Sequence, residues 1–120
     1  MKPEVYAQAD PNRPAIIMTG SGHVTTFREL ESDANRFARL LRDRGLRRGD
    51  HVAVMLENDP HFYVVVWGAL RSGIYVTPIN WHLGPAETGY IVEDCEAEAV
   101  VISGRFATSV APQFFQNVPE

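Results

Sequence analysis

The chain has 120 residues, of which 45% are hydrophobic and 22% are charged, so its composition is that of an ordinary globular protein. A chain of this length forms one domain or part of one. Its formal net charge of −4 lacks the basic excess expected of a nucleic-acid binder, so we predict no nucleic-acid partner.

Cys95 is the only cysteine, which excludes an intramolecular disulfide and favours a reducing compartment. The first residues contain no apolar core of the kind found in signal peptides. The longest apolar run, residues 62–70, is far shorter than the roughly 20 residues that cross a bilayer. We therefore predict a cytoplasmic protein without a membrane span.

The N-terminal part predicts a short lead-in followed by a β-hairpin. Residues 15–18 favour a strand, Gly20 and Gly22 supply turn chemistry, and residues 23–25 resume in β-favouring types. The paired glycines could suggest a phosphate-binding loop. However, no helix start, third glycine or lysine follows at the spacing that phosphate binding needs. We interpret them as turn residues.

Residues 26–44 predict an amphipathic helix with both ends defined. Thr26 and Glu29 form a capping box, in which each side chain would accept a hydrogen bond from a backbone N–H at the helix start. Apolar residues then recur at three- and four-residue spacing. Gly45 fits the left-handed position after the last turn, and Leu46 could pack back on the helix as in a Schellman cap.

Six arginines lie in the second half of this helix or just after it: Arg36, Arg39, Arg42, Arg44, Arg47 and Arg48. Such a cluster could bind phosphate or CoA. The alternative is that cations near a helix C-terminus are favoured by its dipole, and that the outer face of an amphipathic helix is charged. The acidic balance of the whole chain agrees with the second interpretation, which we adopt.

Residues 49–80 predict a strand, a helix and a second strand. Residues 51–56 are apolar at successive positions, so this strand must be covered on both faces, as in a parallel sheet between helices. The helix at residues 62–70 is apolar on nearly every side. Gly68 lies within it at a cost of about 1 kcal/mol relative to alanine, so we expect a close approach to a strand there.

The remaining elements complete a layered α/β fold. A helix begins at Gly84 and runs to about Asp94, with Tyr90 and Ile91 predicted to face inward. A strand at residues 99–102 and a weak helix at residues 105–115 follow. We interpret the acidic residues between helix and strand as a solvated loop. The predicted architecture is a doubly wound, mostly parallel sheet flanked by helices and preceded by a β-hairpin.

The string GDHVAVMLENDPHFYVVVWGALRSGIYVTPIN at residues 49–80 resembles the N-terminal region of the adenylate-forming (AMP-binding) enzymes. The resemblance is strongest to the acyl-CoA synthetases (fatty-acid–CoA ligases). It extends backward through TFREL at residues 26–30 and forward through residues 87–93 and 99–102, in collinear order. It implies that residues 1–120 are the N-terminal part of the adenylation domain of a larger enzyme.

The resemblance also implies an ATP-dependent acid–thiol ligase. In such an enzyme the carboxylate of a small acid, here a fatty acid, attacks the α-phosphate of ATP and displaces pyrophosphate, and the thiol of CoA then displaces AMP from the acyl-adenylate. ATP, CoA and Mg²⁺ are the implied cofactors, and the rest of its own adenylation domain is the implied partner. A monomer and a homo-oligomer stay open.

The motifs that carry this chemistry in the family are missing from residues 1–120. There is no Ser/Thr/Gly-rich loop with a lysine, and Lys2 is the only lysine. There is also no nucleophile elbow, and the four histidines lack the close pairing that marks a zinc site. We therefore assign no catalytic residue and no metal ligand, and expect a scaffold segment that is inactive alone and binds no cofactor tightly.

His82 is the one candidate site residue. It lies in the segment Asn80-Trp81-His82-Leu83, at the carboxyl end of the second strand of the βαβ unit, where open α/β sheets bind ligands. The resemblance implies a basic residue here, near the nucleotide part of CoA. The alternative is that Trp81 and His82 pack the loop onto the larger domain.

Two other functions stay open at this point. The parent could be an amino-acid or aryl-acid adenylating enzyme, because this region does not determine the acid. The chain could also be a self-contained, non-catalytic α/β binding module. The apolar surface of the helix at residues 62–70 argues against the module, because a chain this short has few elements to cover it.

Overall fold

The computed structural model describes residues 2–106. Helices and strands alternate through most of this range, as the sequence predicts, and the first helix occupies the predicted lead-in. Of the last helix, predicted at residues 105–115, only residues 105–106 lie inside the described range, where they are helical, and the rest of it lies outside. The elements in chain order are α1 (Pro3–Ala9), β1 (Pro14–Ile17), β2 (Val24–Thr26), α2 (Phe27–Asp43), β3 (His51–Met55), α3 (His61–Arg71), β4 (Tyr75–Pro78), α4 (Pro85–Asp94) and β5 (Ala99–Ile102).

β3 is the central strand of a parallel sheet with the order β4-β3-β5. α3 connects β3 to β4, and α4 then connects β4 to β5 on the other side of β3. The direction of strand addition therefore reverses at β3, which is the doubly wound arrangement that the sequence predicts.

Both faces of β3 are buried, because successive side chains of a strand point to opposite faces. Val52 and Val54 pack in one core cluster with side chains of α2 and α3. Ala53 and Met55 pack in a second cluster on the α4 side. The prediction from the unbroken apolar run is confirmed.

The hairpin of β1 and β2 forms a separate antiparallel sheet. Its register pairs Ile17 with Val24 and shifts between Pro14 and Ile16, which is a bulge-like irregularity. Gly22 has a φ of 75°, a left-handed conformation that suits glycine, so the interpretation of the glycines as turn residues is confirmed.

The ends of α2 largely follow the sequence. The Thr26 hydroxyl accepts a hydrogen bond from the Glu29 N–H at 3.2 Å. The Glu29 carboxylate, however, accepts from the Thr26 hydroxyl at 3.1 Å rather than from a backbone N–H, so half of the predicted capping box is wrong. At the other end, Gly45 has a φ of 89° and the Leu46 N–H donates to the Leu41 carbonyl at 3.0 Å. This is the predicted Schellman cap.

Gly68 lies against α2, so the prediction that it approaches a strand is wrong. A Cβ atom at Gly68 would lie 2.8 Å from the Ala34 carbonyl oxygen and 2.8 Å from Cδ1 of Phe37. The reason is that α2 and α3 pack against each other on the same face of the sheet, and Gly68 lies at their contact. The glycine lets the two helix backbones come together.

A polar contact that the sequence did not predict joins the same two helices. The Arg71 guanidinium donates to both carboxylate oxygens of Glu31, at 2.8 and 2.9 Å, and also to the Asn35 side-chain oxygen. The Arg71 and Glu31 side chains are only 24% and 20% exposed. Because this ion pair is bidentate and mostly shielded from solvent, it fixes the register of α3 on α2.

The inner face of α4 differs from the prediction. Thr88 and Val92 are buried and Ile91 is half-buried, whereas Tyr90 is 69% exposed. Ile91 faces inward as predicted, and the prediction for Tyr90 is wrong. The Thr88 hydroxyl donates to the Gly84 carbonyl at 2.8 Å, so this polar side chain is satisfied within the helix and can occupy the inner face.

Substituting Gly68→Ala should destabilise the protein. The added methyl group would meet a backbone oxygen, which cannot move aside as a flexible side chain would. We expect the free energy of unfolding to fall by about 1 kcal/mol or more, even though alanine favours the helix. Urea denaturation measures the change. Gly20→Ala is the control, because no heavy atom lies within 4 Å of its added Cβ. Equal midpoints for the two variants would contradict the close approach.

Candidate functional site

The loops after the three parallel strands meet at one edge of the sheet. This carboxyl edge, as we define it, consists of Glu57 after β3, Trp81 and His82 after β4, and Ser103 and Arg105 after β5. The carboxyl ends of parallel strands are where open α/β sheets bind ligands. The structure thus places the predicted residue His82 at such an edge.

Glu57 joins the ends of β3 and β5. One of its carboxylate oxygens accepts a hydrogen bond from the Ser103 hydroxyl at 3.0 Å, and the other accepts from the Arg105 guanidinium at 3.1 Å. The Glu57 side chain is 32% exposed and that of Arg105 is 64% exposed. Because the carboxylate uses both oxygens, it fixes the orientation of the two groups on the β5 loop.

Sequence reasoning missed this contact, since Glu57 and Ser103 are 46 residues apart. The signal that could have found it is the parallel register. Met55 pairs with Ile102, so the residues that follow these two positions emerge side by side.

The Trp81 ring is contacted by residues of its own loop after β4 and of the loop after β5. Its centroid lies 3.6 Å from that of His82 and 5.9 Å from that of Phe106. The Arg105 guanidinium carbon lies 5.8 Å from the same ring centroid, within the range of a cation–π contact. Trp81 is half-buried and packs against the core cluster on the α4 side. It therefore anchors the loop after β4.

His82 is exposed and oriented by its neighbours. Its backbone N–H donates to the Asn80 side-chain oxygen at 2.9 Å, which is an Asx-type turn. Its ring lies against Trp81. The imidazole is thus accessible to a ligand while its position is restricted, so it can donate or accept a hydrogen bond at the carboxyl edge.

A cleft of about 780 Å³ adjoins the carboxyl edge, between the hairpin and the start of α3. One wall is apolar and comes from β1, and the rim carries two carboxylates. The cleft shares Trp81 and Glu57 with the edge. Its lining residues are Ile16, Ile17, Met18, Thr19, Gly20, Leu56, Glu57, Asn58, Asp59, Phe62, Tyr63 and Trp81.

Asp59 and His61 form a carboxylate–histidine pair at the rim of this cleft. The His61 backbone N–H donates to Asp59 Oδ1 at 2.8 Å, and the His61 Nδ1 lies 2.6 Å from the same oxygen. Partial burial on its own would raise the pKa of Asp59. The two hydrogen bonds and the charges of His61 and His23 outweigh that effect, so the pKa of Asp59 is lowered from its usual 3.8. The pair holds the turn that starts α3.

The described residues do not form a metal site or a membrane span. Within residues 2–106, no group of three or more His, Cys, Asp and Glu side chains could hold a metal ion. The carboxylates of Glu57 and Asp59 are already used by Ser103, Arg105 and His61, so they do not fit the role of a Mg²⁺ ligand set. No helix in this range is long and apolar enough to cross a membrane.

A family model for the AMP-binding enzymes matches residues 4–119. The chain belongs to the AMP-binding enzyme family. The resemblance seen in the sequence is thereby confirmed, and so is the α/β architecture that it implies.

Curated relatives and a solved structure agree with this assignment. The chain is 30% identical over 105 residues to a fatty acid–[acyl-carrier-protein] ligase of Streptomyces coeruleorubidus, covering 88% of this chain and 20% of that protein. It is 35% identical over 108 residues to a long-chain-fatty-acid–CoA ligase of Haemophilus influenzae, covering 89% and 19%. A benzoate CoA ligase structure from Burkholderia xenovorans LB400 superposes with a TM-score of 0.83 at 28% identity, covering 98% and 24%. The chain thus spans about a fifth of the length of these curated relatives.

Replacing Asp59 should lower the stability of the folded protein near neutral pH but not in acid. Because the folded-state pKa of Asp59 is lowered, its stabilisation is present above the unfolded-state pKa and is lost as pH falls through the folded-state pKa. We expect Asp59→Asn to unfold at lower urea concentration than the parent at pH 6, with the difference shrinking below about pH 4. The side chain is 44% exposed, so the effect is small, below about 1 kcal/mol.

Urea denaturation of both proteins from pH 6 to pH 3 measures this difference. Asp10→Asn is the control, because the exposed Asp10 carboxylate has no hydrogen-bond partner within residues 2–106. A destabilisation by Asp59→Asn that is the same at every pH would contradict the role of the carboxylate charge.

Proposed function

We propose that the full-length protein is an ATP-dependent acid–thiol ligase, an acyl-CoA synthetase. It activates a carboxylic acid with ATP to an acyl-adenylate, with release of pyrophosphate, and transfers the acyl group to the thiol of CoA, with release of AMP. Residues 1–120 are the N-terminal part of its adenylation domain, and the protein works in the cytoplasm. The observation that carries the proposal is the family match over residues 4–119.

The proposed substrate is a fatty acid. Support comes from the names of two relatives, the fatty acid–[acyl-carrier-protein] ligase and the long-chain-fatty-acid–CoA ligase, which align over 88% and 89% of this chain. The alternative is an aryl acid, which the benzoate CoA ligase structure supports. Both alternatives share the adenylation step and differ in the pocket that receives the acid.

This segment acts as a scaffold in the proposed enzyme. When they bind to the whole enzyme, ATP would supply the adenylyl group that activates the acid, CoA the acceptor thiol, and Mg²⁺ charge neutralisation. Among the described residues, His82 is the one that we propose to contact the nucleotide part of CoA, since it is exposed at the carboxyl edge and held by Trp81 and Asn80. Its imidazole would hydrogen-bond to a phosphate oxygen or a nucleotide polar group.

The rest of the adenylation domain is the proposed partner of this segment. Ile17 and Tyr63, which line the cleft between the hairpin and α3, are 61% and 48% exposed. Large apolar side chains exposed together in this way are typical of a surface that another part of a protein covers. A self-contained binding module would leave the same surface open to solvent, which makes it the less favoured function.

Acid-dependent ATP–pyrophosphate exchange by the full-length protein tests the proposed function. We expect exchange in the presence of a fatty acid, followed by release of AMP when CoA is added. Residues 1–120 alone should give no exchange and serve as the control for contaminating activity. Exchange with benzoate but with no fatty acid would replace the fatty-acid substrate by an aryl acid. No exchange with any acid would overturn the proposal.

Substituting His82→Ala in the full-length enzyme should weaken the CoA step selectively. We expect the apparent KM for CoA to rise by roughly two- to tenfold, the effect of losing one ordinary hydrogen bond. The rate of ATP–pyrophosphate exchange should not change. His23→Ala is the matched control, because His23 is exposed on the hairpin. An unchanged KM for CoA would mean that Trp81 and His82 only pack the loop.

A further inference from the structure

We propose that Glu57 and Arg105 are positioning residues for His82. They act through Trp81, so that a chain of contacts crosses the carboxyl edge from the β3 loop to the β5 loop and then to the β4 loop. We call the contacts between Glu57, Arg105, Trp81 and His82 the clamp. This inference rests on the proposed function, because the clamp would orient His82 for binding CoA. The four residues come from three different loops, and each contact between them has a defined geometry.

The first step in this chain is the pairing of Glu57 with Arg105. Glu57 follows the most buried strand of the sheet, so its backbone is firmly held. Its carboxylate accepts from the Arg105 guanidinium at 3.1 Å and from the Ser103 hydroxyl at 3.0 Å. The side chain of Arg105 is 64% exposed and would otherwise sample many positions. The hydrogen bond to Glu57 restricts the guanidinium, and the bond from Ser103 holds the carboxylate that accepts it.

The second step is the contact of Arg105 with Trp81. The guanidinium carbon lies 5.8 Å from the Trp81 ring centroid and 5.6 Å from that of Phe106. The Phe106 ring in turn stacks on Trp81 at 5.9 Å. Arg105 and Phe106 are consecutive residues, so the β5 loop holds the indole with a cation and a ring at once. A tryptophan contacted in this way has little freedom to rotate.

The third step is the contact of Trp81 with His82. The two ring centroids are 3.6 Å apart, the shortest ring contact among the described residues. Within residues 2–106, the His82 side chain has no hydrogen-bond partner that could orient the imidazole instead. The position of the imidazole therefore depends on the position of the indole.

A direct contact of Arg105 with the phosphates of CoA is the competing explanation. Arg105 would then add its own interaction energy independently of His82. In the positioning role, Arg105 contributes only when His82 is present, so the effects of removing the two side chains do not add. A double-mutant cycle separates these cases.

The test measures the KM for CoA of the full-length enzyme carrying Arg105→Ala, His82→Ala or both. We expect Arg105→Ala to raise this KM by roughly two- to fivefold, in line with an exposed ion pair. The rate of ATP–pyrophosphate exchange should stay unchanged. The double variant should have the KM of His82→Ala alone. Arg105→Lys should raise the KM for CoA less than Arg105→Ala does, because the cation is kept. Arg39→Ala is the control, because the Arg39 side chain is exposed and has no partner within residues 2–106.

A second readout does not depend on activity. In the full-length enzyme labelled with 5-fluorotryptophan, the ¹⁹F resonance of Trp81 is the one that disappears in Trp81→Phe. We expect Arg105→Ala and Glu57→Gln to shift or broaden this resonance, while Arg39→Ala leaves it in place.

The outcomes distinguish this inference from the proposed function. A Trp81 resonance that does not respond to Arg105→Ala would overturn the positioning role, and so would KM effects that multiply in the double variant. If His82→Ala leaves the KM for CoA unchanged, the proposed CoA contact fails. The clamp would then be judged by the Trp81 resonance alone, with a response supporting it and no response overturning it.

Discussion

The burial of both faces of β3 is the constraint on which the rest of this structure depends. Its four residues from Val52 to Met55 are at most 1% exposed, so the strand offers water neither face. Each face requires a layer of helices, and the chain supplies α2 and α3 on one side and α4 on the other. Burying apolar surface on this scale is the dominant favourable contribution to folding.

The same constraint creates the carboxyl edge. Helices cover both faces of the central strand β3, and two of them, α3 and α4, each connect to a parallel strand. These parallel strands pair with β3 along its two edges. The three strands then end at one edge, and their following loops converge there. Glu57, Trp81 and Ser103 come together for this reason, although 46 residues separate the first from the last. The location of the site is thus a consequence of how β3 is buried.

Local and periodic signals in the sequence predicted most of the elements. The start of α2 at Thr26 and its end at Gly45 depend on contacts within six residues, and the β3 run depends on composition alone. These features follow from short stretches of chain, which is why a single sequence is sufficient to find them. The Schellman cap and the two-sided strand were both predicted in this way.

The wrong predictions concern choices that tertiary packing makes. Tyr90 was predicted to face inward, yet Thr88 occupies the inner face of α4, where its hydroxyl donates to the Gly84 carbonyl. Gly68 was correctly associated with a close approach, but the partner is a second helix rather than a strand. A pattern of residue types indicates that a face is buried without specifying what lies on it.

The location of the candidate site could be predicted from the sequence, but the residues that surround His82 there could not. The position of His82 after β4 was sufficient to put it at the carboxyl edge, because parallel strands share the direction of their ends. The groups that meet it there, Glu57 and Arg105, depend on the register of β3 against β5, which pairs Met55 with Ile102. Register is set by packing across the sheet, so it becomes visible only in the folded chain. In the proposed CoA site, the exposed His82 would gain its geometry from that register, so that residues outside the chemistry would position a binding group.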